Sequence, residues 1–127
     1  MVLSITLLDQ AFTIHRLPSN AEVPAPALDC PFFAITRTAD ELSLVLPASV
    51  EIESEKSEGG WACFKVAGPL EFSLLGVLAG ISAALAKAQV SIFALSTFDT
   101  DYILVKREQV RAAREALVSA GYNVKEA

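Results

Sequence analysis

The sequence predicts an α+β fold made of two tandem modules, the first of them poor in helix. Two observations carry this prediction: a strand, polar break and strand pattern occurs twice along the chain, and helical periodicity is strong only around its second copy. The chain has 127 residues, which is enough for one ordinary domain or for two small modules that share a core.

The bulk composition indicates a compact globular protein. Hydrophobic residues make up 53% of the chain and charged residues 20%, so the sequence is too apolar for disorder. The formal net charge is -5, and the ten lysines and arginines are scattered along the chain. Because no basic run could neutralise successive phosphates, nucleic acid is not an expected partner.

Neither a signal peptide nor a membrane span is expected. The opening MVLSITLLDQ has no basic n-region and is predicted to form a first strand, which makes the cytoplasm the default location. Residues 72–95 are rich in apolar side chains, but Lys87 and Gln89 interrupt them. No clean run of about 20 apolar residues remains, and a transmembrane helix is not predicted.

The residue patterns of common enzymes are missing from the sequence. Cys30 and Cys63 lie far apart, without CxxC or nearby histidine pairs, so they are predicted to be buried or half-buried thiols rather than metal ligands. His15 stands alone, with no nucleophile spacing around it, and is predicted to be structural or on the surface. No cofactor is expected, and we do not expect an enzyme.

The repeated pattern becomes visible when the chain is shifted by 60 positions. FAITRTADELSLV (33–45) then lies on FALSTFDTDYILV (93–105) without a gap, and Phe33 and Phe93 are among four identical pairs. In this alignment Glu41 falls on Asp101. Each copy has an acidic break between two apolar runs, which is a hairpin signal.

The second copy predicts the element order βαββαβ, the ferredoxin-like arrangement. Strand, helix and turn signals predict a strand at 61–68, a helix beginning between Ser73 and Gly76, strands at 90–96 and 102–106, a helix at 108–120 that Gly121 closes, and a short strand in YNVK. The near-continuous apolarity of residues 90–96 favours a central strand. We expect antiparallel sheets with their helices on one face.

The first copy departs from this plan. LSITLL and AFTIHRL are predicted to form a hairpin that turns at Asp9 and Gln10. Four prolines fall in residues 18–31, where the second copy has its first helix, so no regular helix of similar length is expected there. ESEKSEGG (53–60) has the composition of a linker. We therefore expect a reduced module at 1–58 and a complete module at 59–127.

The run GVLAGISAALAKAQVSIFALSTFDTDYILV (76–105) resembles the ACT domain, whose pattern matches at Gly76, Leu85-Ala86 and Val90-Ser91-Ile92. Gln89 stands where the family usually has glycine. TRTADELSLVLP, GPLEFSLLGVLAGI and STFDTDYILVK together resemble the tandem-ACT bacterial proteins related to arginine sensors of the CASTOR type. The resemblance implies a regulatory module that binds an amino acid where two modules meet, and it implies a homodimer.

The resemblance also implies a set of ligand-binding residues. They come from the loop before the first helix and from the following hairpin: Gly68, Glu71, Leu75, Thr97, Phe98 and Asp101. Backbone N–H groups near Leu75 and Gly76, at the start of that helix, could receive an amino acid's carboxylate. Asp101 and Glu71 suit an ammonium or guanidinium group, which makes arginine one candidate ligand.

Each of these residues also has a structural explanation that the sequence leaves open. Asp99 and Asp101 could serve as turn formers that bond their own backbone, and Glu71 could be a solvated charge near a helix start. Phe98 could line a pocket or fill an interface. The sequence does not place the loop and the hairpin together. A structural assembly module without a small-molecule ligand is therefore the alternative to an amino-acid sensor.

Overall fold

The computed structural model describes residues 3–68 and 76–127. In chain order its elements are β1 (Ser4–Leu17), α1 (Ala25–Leu28), β2 (Ala34–Arg37), β3 (Leu42–Pro47), β4 (Lys56–Val66), α2 (Val77–Lys87), β5 (Ile92–Ser96), β6 (Asp101–Lys106), α3 (Val110–Ser119) and β7 (Asn123–Glu126). The chain divides into a smaller unit, Gln10–Trp61, and a larger unit, Met1–Asp9 with Ala62–Ala127. The predicted α+β class is confirmed.

The smaller unit has little helix, as its prolines predict. Its strands follow the order β2-β3-β1-β4, with β2 and β1 both antiparallel to β3. Helix α1 has four residues, with Pro24 as N-cap and Pro26 in its first turn. Proline lacks a backbone donor and clashes with the preceding turn, so this segment cannot extend into a regular helix. The core of the unit is formed by Leu17, Ala27, Leu42, Leu44 and Leu46.

The larger unit contains the predicted order of strand, helix, two strands, helix and strand, from β4 through β7. Its strand order is β7-β1-β4-β6-β5. Both helices bury apolar side chains in one core cluster, which includes Phe64 from β4, Ile81 and Leu85 from α2, Ile103 from β6, and Leu117 from α3. The 3.6-residue periodicity of the two helical segments is thereby explained.

Helices α2 and α3 end in the same hydrogen-bonded motif, but its left-handed position is held by glycine after α3 and by glutamine after α2. After α3, Gly121 has φ 98°, its N–H donates to Val118 O at 3.0 Å, and Tyr122 N–H donates to Leu117 O at 3.1 Å, which is a Schellman motif. After α2 the same motif is built around Gln89, at φ 61°. A left-handed backbone costs a residue with a Cβ about 1 kcal/mol or more, which explains the preference for glycine there.

The N-terminal hairpin prediction is wrong. Residues 4–17 form a single strand of 14 residues, and Asp9 and Gln10 are exposed positions in its middle. The larger unit's share of β1 ends at Asp9 and the smaller unit's begins at Gln10. The polar pair therefore marks the point where one strand passes from the larger unit to the smaller one.

The linker prediction at 53–60 is also wrong in its second half, because β4 begins at Lys56. Residues 56–60 are exposed along this strand, and their polar side chains are suited to solvent rather than to a core. Strands β1 and β4 are hydrogen-bonded neighbours, so backbone pairing holds a segment whose composition is that of a loop.

Two expectations about the sheet need correction. Among the described strands, β5 has β6 as its sole neighbour, so it is an edge strand rather than a central one. Its apolar side chains at Ile92, Phe93 and Leu95 are half-buried, and its neighbour β6 is the more deeply buried strand. The pairing of β1 with β7 is parallel, so the sheet is not wholly antiparallel.

The two hairpins correspond at a spacing one residue shorter than the sequence alignment indicates. Arg37 pairs with Leu42, and Ser96 pairs with Asp101. Ser96 lies 59 positions after Arg37, and Asp101 lies 59 positions after Leu42. The alignment at 60 is therefore out of register, and a shift of one residue exchanges the two faces of a strand. The structural counterpart of Asp101 is Leu42 rather than Glu41.

The described helices include none that could cross a bilayer, since none is both long and apolar enough.

Candidate ligand site

The turn between β5 and β6 is closed by a threonine. Thr97 N–H donates to Thr100 O at 2.8 Å, and the Thr97 hydroxyl donates to the same oxygen at 3.1 Å. Thr100 N–H in turn donates to Thr97 Oγ1 at 3.2 Å. Thr97 therefore satisfies the polar backbone groups that a four-residue turn leaves open.

A buried hydroxyl bonds this turn to the end of β4. Thr100 is 5% exposed, and its Oγ1 donates to Val66 O at 2.7 Å. Val66 is the last residue of β4 and is followed by Ala67 and Gly68, where the loop toward α2 begins. The structure thus places the hairpin turn beside the end of β4, which answers a question that the sequence leaves open.

The carboxylate of Asp101 stands at the first position of β6. It is half-buried, and its Oδ1 accepts a hydrogen bond of 2.6 Å from the Ser96 hydroxyl on the paired strand. Within the described residues neither Asp99 nor Asp101 forms an ion pair, and the side-chain bonds that close the turn come from Thr97. The Asp101 carboxylate instead bonds across the mouth of the turn, to the last residue of β5.

Phe98 occupies the tip of the turn and is 78% exposed. An aromatic ring with that much exposed surface contributes little to the core of this chain. Its position fits either expectation from the sequence, a pocket wall or an interface residue. Asp99, beside it, is also exposed.

The loop side of the expected site is described in part. Gly68 lies exposed in a bend two residues after Val66. Gly76 is the N-cap of α2 with φ 77°, a left-handed conformation that favours glycine, and no side chain caps the helix within the described part of the chain. Glu71 and Leu75 lie outside the described residues. Of the expected residues, Gly68 follows Val66 by two positions and Asp101 directly follows Thr100. Both therefore lie close along the chain to the two residues that the Thr100–Val66 hydrogen bond joins.

Two buried side chains lie apart from this turn in the sequence. His15 on β1 is 6% exposed, with Nδ1 at 3.0 Å from Ser54 Oγ and with Nε2 buried and lacking a partner among the described residues. Burial lowers the pKa of His15 from its ordinary value. Cys63 is fully buried, which raises the pKa of its thiol to about 12. Cys30 is half-buried and both cysteines are free, so the prediction of buried or half-buried thiols is confirmed.

Thr100 is the residue that sequence reasoning missed. In the alignment at 60 it lies opposite Asp40, and threonine in a turn carries no particular signal. The correct spacing of 59 would have shown that Thr97 matches Thr38 and that Asp99 matches Asp40, leaving Thr100 opposite Glu41.

Family models match most of the chain. The model described as the ACT domain matches residues 56–119, which is half of the chain. A second model, described as an N-terminal domain, matches residues 10–49.

Curated relatives include cytosolic arginine sensors. The cytosolic arginine sensor for mTORC1 subunit 1 of Mus musculus is 29% identical over 114 residues, covering 83% of this chain and 34% of the relative. The protein of the same name from Homo sapiens is 28% identical over 124 residues, covering 91% of this chain and 38% of the relative. The chain thus spans little more than a third of the length of the curated relatives it matches.

Solved structures share the fold over the whole chain. A crystal structure of a protein from Agobacterium tumefaciens matches with a TM-score of 0.91 at 31% identity, covering 100% of this chain and 95% of that chain. The regulatory subunit of aspartate kinase from Thermus flavus matches with a TM-score of 0.66 at 14% identity, covering 94% and 97%, a likeness that shows the fold alone. The expected resemblance is confirmed, and the chain belongs to the ACT domain family.

Proposed function

We propose that the chain is a non-catalytic regulatory or sensor protein that binds an amino acid at the end of β4, beside the β5–β6 turn. The observation that carries this proposal is the hydrogen bond from Thr100 Oγ1 to Val66 O, at 2.7 Å. It holds the turn that contains Thr97 and Phe98, with Asp101 directly after it, beside the end of β4, where the loop to α2 begins. A zwitterion needs acceptors and donors at one place, and we propose Asp101 as an acceptor and the N–H groups at the start of α2 as the donors.

The charge of the turn favours a cationic group on the ligand. The carboxylate of Asp101 has the Ser96 hydroxyl as its partner and forms no ion pair within the described residues, so it can accept from an ammonium or guanidinium. We propose that the start of α2, at Leu75 and Gly76, receives the ligand's carboxylate, because a helix N-terminus presents unpaired N–H groups. Glu71 would add a second acceptor.

The relatives support arginine as the first amino acid to test. The curated relatives are named as cytosolic arginine sensors, and the neighbour from Thermus flavus is named as a regulatory subunit of aspartate kinase. We propose the same cytosolic setting for this chain. The matching threonine turns at Thr38 and Thr97 support the proposal of two tandem modules, a reduced one at 1–58 and a complete one at 59–127.

A binding screen tests the proposal. The chain is titrated with each of the twenty amino acids by calorimetry, and its melting temperature is measured with each amino acid in excess. A ligand at 100 times its Kd stabilises a folded protein by about 2.7 kcal/mol, so a specific binder gives a clear upward shift. We expect L-arginine to raise the melting temperature and glycine to leave it unchanged. No heat and no shift with any amino acid would overturn the proposal.

An assembly module without a small-molecule ligand is the second candidate function. It is favoured by β5, an edge strand without a charged residue or a proline, since such edges are templates for pairing with another chain. A homodimer is compatible with either function. Calorimetry with L-arginine on a chain whose mass is measured by light scattering separates them, because a pure assembly module dimerises but gives no heat of binding with the amino acid.

A further inference from the structure

The Thr100 side chain makes a bond that the turn itself does not require. In the smaller unit the β2–β3 turn is closed in the same way, with Asp40 N–H and Glu41 N–H donating to Thr38 Oγ1 at 3.1 and 3.2 Å. Glu41 holds the position there that Thr100 holds in the larger unit. A four-residue threonine turn thus forms with or without a hydroxyl at its last position.

Because the turn forms without this hydroxyl, the Thr100 hydroxyl has a role outside the turn, and its hydrogen bond to Val66 indicates that role. Its bond to Val66 O joins residues 34 positions apart, inside a nearly water-free site where a lone carbonyl would be costly. Val66 is the last residue of β4, and Asp101 directly follows Thr100. This bond, together with the pairing of β4 with β6, holds Asp101 at the start of β6 beside the end of β4, two residues before Gly68.

We infer that Thr100 is a positioning residue for the amino-acid site, an inference that rests on the proposed function. Its hydroxyl does not touch the ligand. It holds Asp101 beside the end of β4 before the ligand arrives, so the ligand does not have to order the turn at the expense of affinity. Removing the hydroxyl while keeping the side chain's shape should weaken binding even though every ligand-contacting residue remains.

Three variants test this inference by calorimetry with L-arginine, or with whichever amino acid binds tightest in the screen. Thr100→Val keeps the branched shape and removes the donor, and Thr100→Ser keeps the donor. Ala113→Gly in α3 is the stability control, because glycine in a helix costs about as much as a lost buried hydrogen bond and this residue lies outside the turn and loop.

We expect Thr100→Val to weaken L-arginine binding by about tenfold, and Thr100→Ser to restore it to within about threefold of the parent chain. Ala113→Gly should lower the melting temperature without changing the dissociation constant. Hydrogen exchange of the ligand-free proteins should show faster exchange at residues 97–100 in Thr100→Val than in Thr100→Ser.

Three outcomes overturn the inference while leaving the proposed function standing: unchanged arginine affinity in Thr100→Val, no rescue by serine, or an equal loss of affinity in Ala113→Gly. A parent chain that binds no amino acid overturns the proposed function and this inference with it.

Discussion

The two units of the chain contain the same hairpin turn in different chemical settings. In each, a threonine at the first turn position, Thr38 or Thr97, bonds the backbone at the far side of the turn. The residue that opens the next strand is then Leu42 in the smaller unit and Asp101 in the larger one. Leu42 is fully buried, whereas Asp101 is half-buried and presents a carboxylate.

The two turns also differ in the hydrogen bond that attaches each of them to another segment of its unit. In the smaller unit, Arg16 Nη2 donates to Asp40 O at 3.1 Å, and the same guanidinium pairs with Glu55. In the larger unit, the buried hydroxyl of Thr100 donates a hydrogen bond to Val66 O. A shared turn therefore serves packing in one unit and, on our proposal, ligand binding in the other. The chain should hold one amino-acid site of this kind rather than two.

The largest expected loss of stability comes from truncating core residues at positions where the two hairpins are alike. Leu44 and Ile103 occupy equivalent positions on β3 and β6, and both are fully buried. Truncating either to alanine leaves a cavity, so Leu44→Ala and Ile103→Ala should each lower the free energy of unfolding by about 2–5 kcal/mol. Denaturant unfolding measures the loss, and Val118→Ala, at a 54% exposed position, serves as control. A loss below about 1 kcal/mol at either core position would show that its unit is loosely packed.

The second-largest expected effect is on ligand affinity, and it distinguishes the turn of the larger unit from that of the smaller unit. Asp101→Ala should weaken L-arginine binding by about 10- to 100-fold, because a hydrogen bond to a charged group is worth about 1.5–3 kcal/mol. Asp40→Ala removes an acid from the other turn and should leave binding unchanged. Circular dichroism checks that both variants remain folded. Equal losses in the two variants would contradict the assignment of the site to the larger unit.

Lowering the pH should destabilise the smaller unit through the protonation of His15. Because burial lowers its pKa in the folded chain, the unfolded chain takes up the proton first as the pH falls below the ordinary value of about 6.5. Stability should therefore be lost below that pH, by at most about 1.4 kcal/mol per pH unit from this group. Unfolding of the parent chain and of His15→Gln between pH 7.5 and 5 measures the difference. Parallel pH profiles would contradict the assignment.

The smallest effect concerns the larger unit's helix ends. Gln89→Gly should raise the free energy of unfolding by about 1 kcal/mol, because glycine adopts φ 61° without steric cost. The gain will be partly offset if the bond from Gln109 Nε2 to the Gln89 carbonyl, at 3.3 Å, weakens. Gly121→Ala, at φ 98°, should lower stability by a similar amount. A destabilising Gln89→Gly would mean that the Gln89 side chain has a packing role.

The sequence predicted most of the larger unit's elements because their signals are local. Helical periodicity identified α2 and α3, Gly121 identified the end of α3, and the four prolines excluded a long helix in the smaller unit. These signals act over a few residues, within the range that propensity and capping govern.

The failures share a different cause, which is pairing between distant segments. The polar residues Asp9 and Gln10 resemble a turn, yet strand pairing carries the chain straight through them. The apolar run of β5 resembles a central strand, yet it lies at an edge. The alignment at 60 positions followed side-chain identity, whereas backbone pairing sets the true spacing of 59.

The candidate site was predicted by resemblance rather than by physics. Charge and turn chemistry pointed to Asp101 but could not show that the turn lies beside the end of β4, since that depends on the pairing of β4 with β6 and on the bond between residues 66 and 100. Thr100, the positioning residue of our inference, therefore could not be identified from the sequence.

A crystal structure of the chain grown with L-arginine tests the central claim most directly. Our account predicts the amino acid at the end of β4, with its guanidinium or ammonium within hydrogen-bonding distance of the Asp101 carboxylate. Arginine bound elsewhere, with Asp101 still paired only to Ser96, would contradict it.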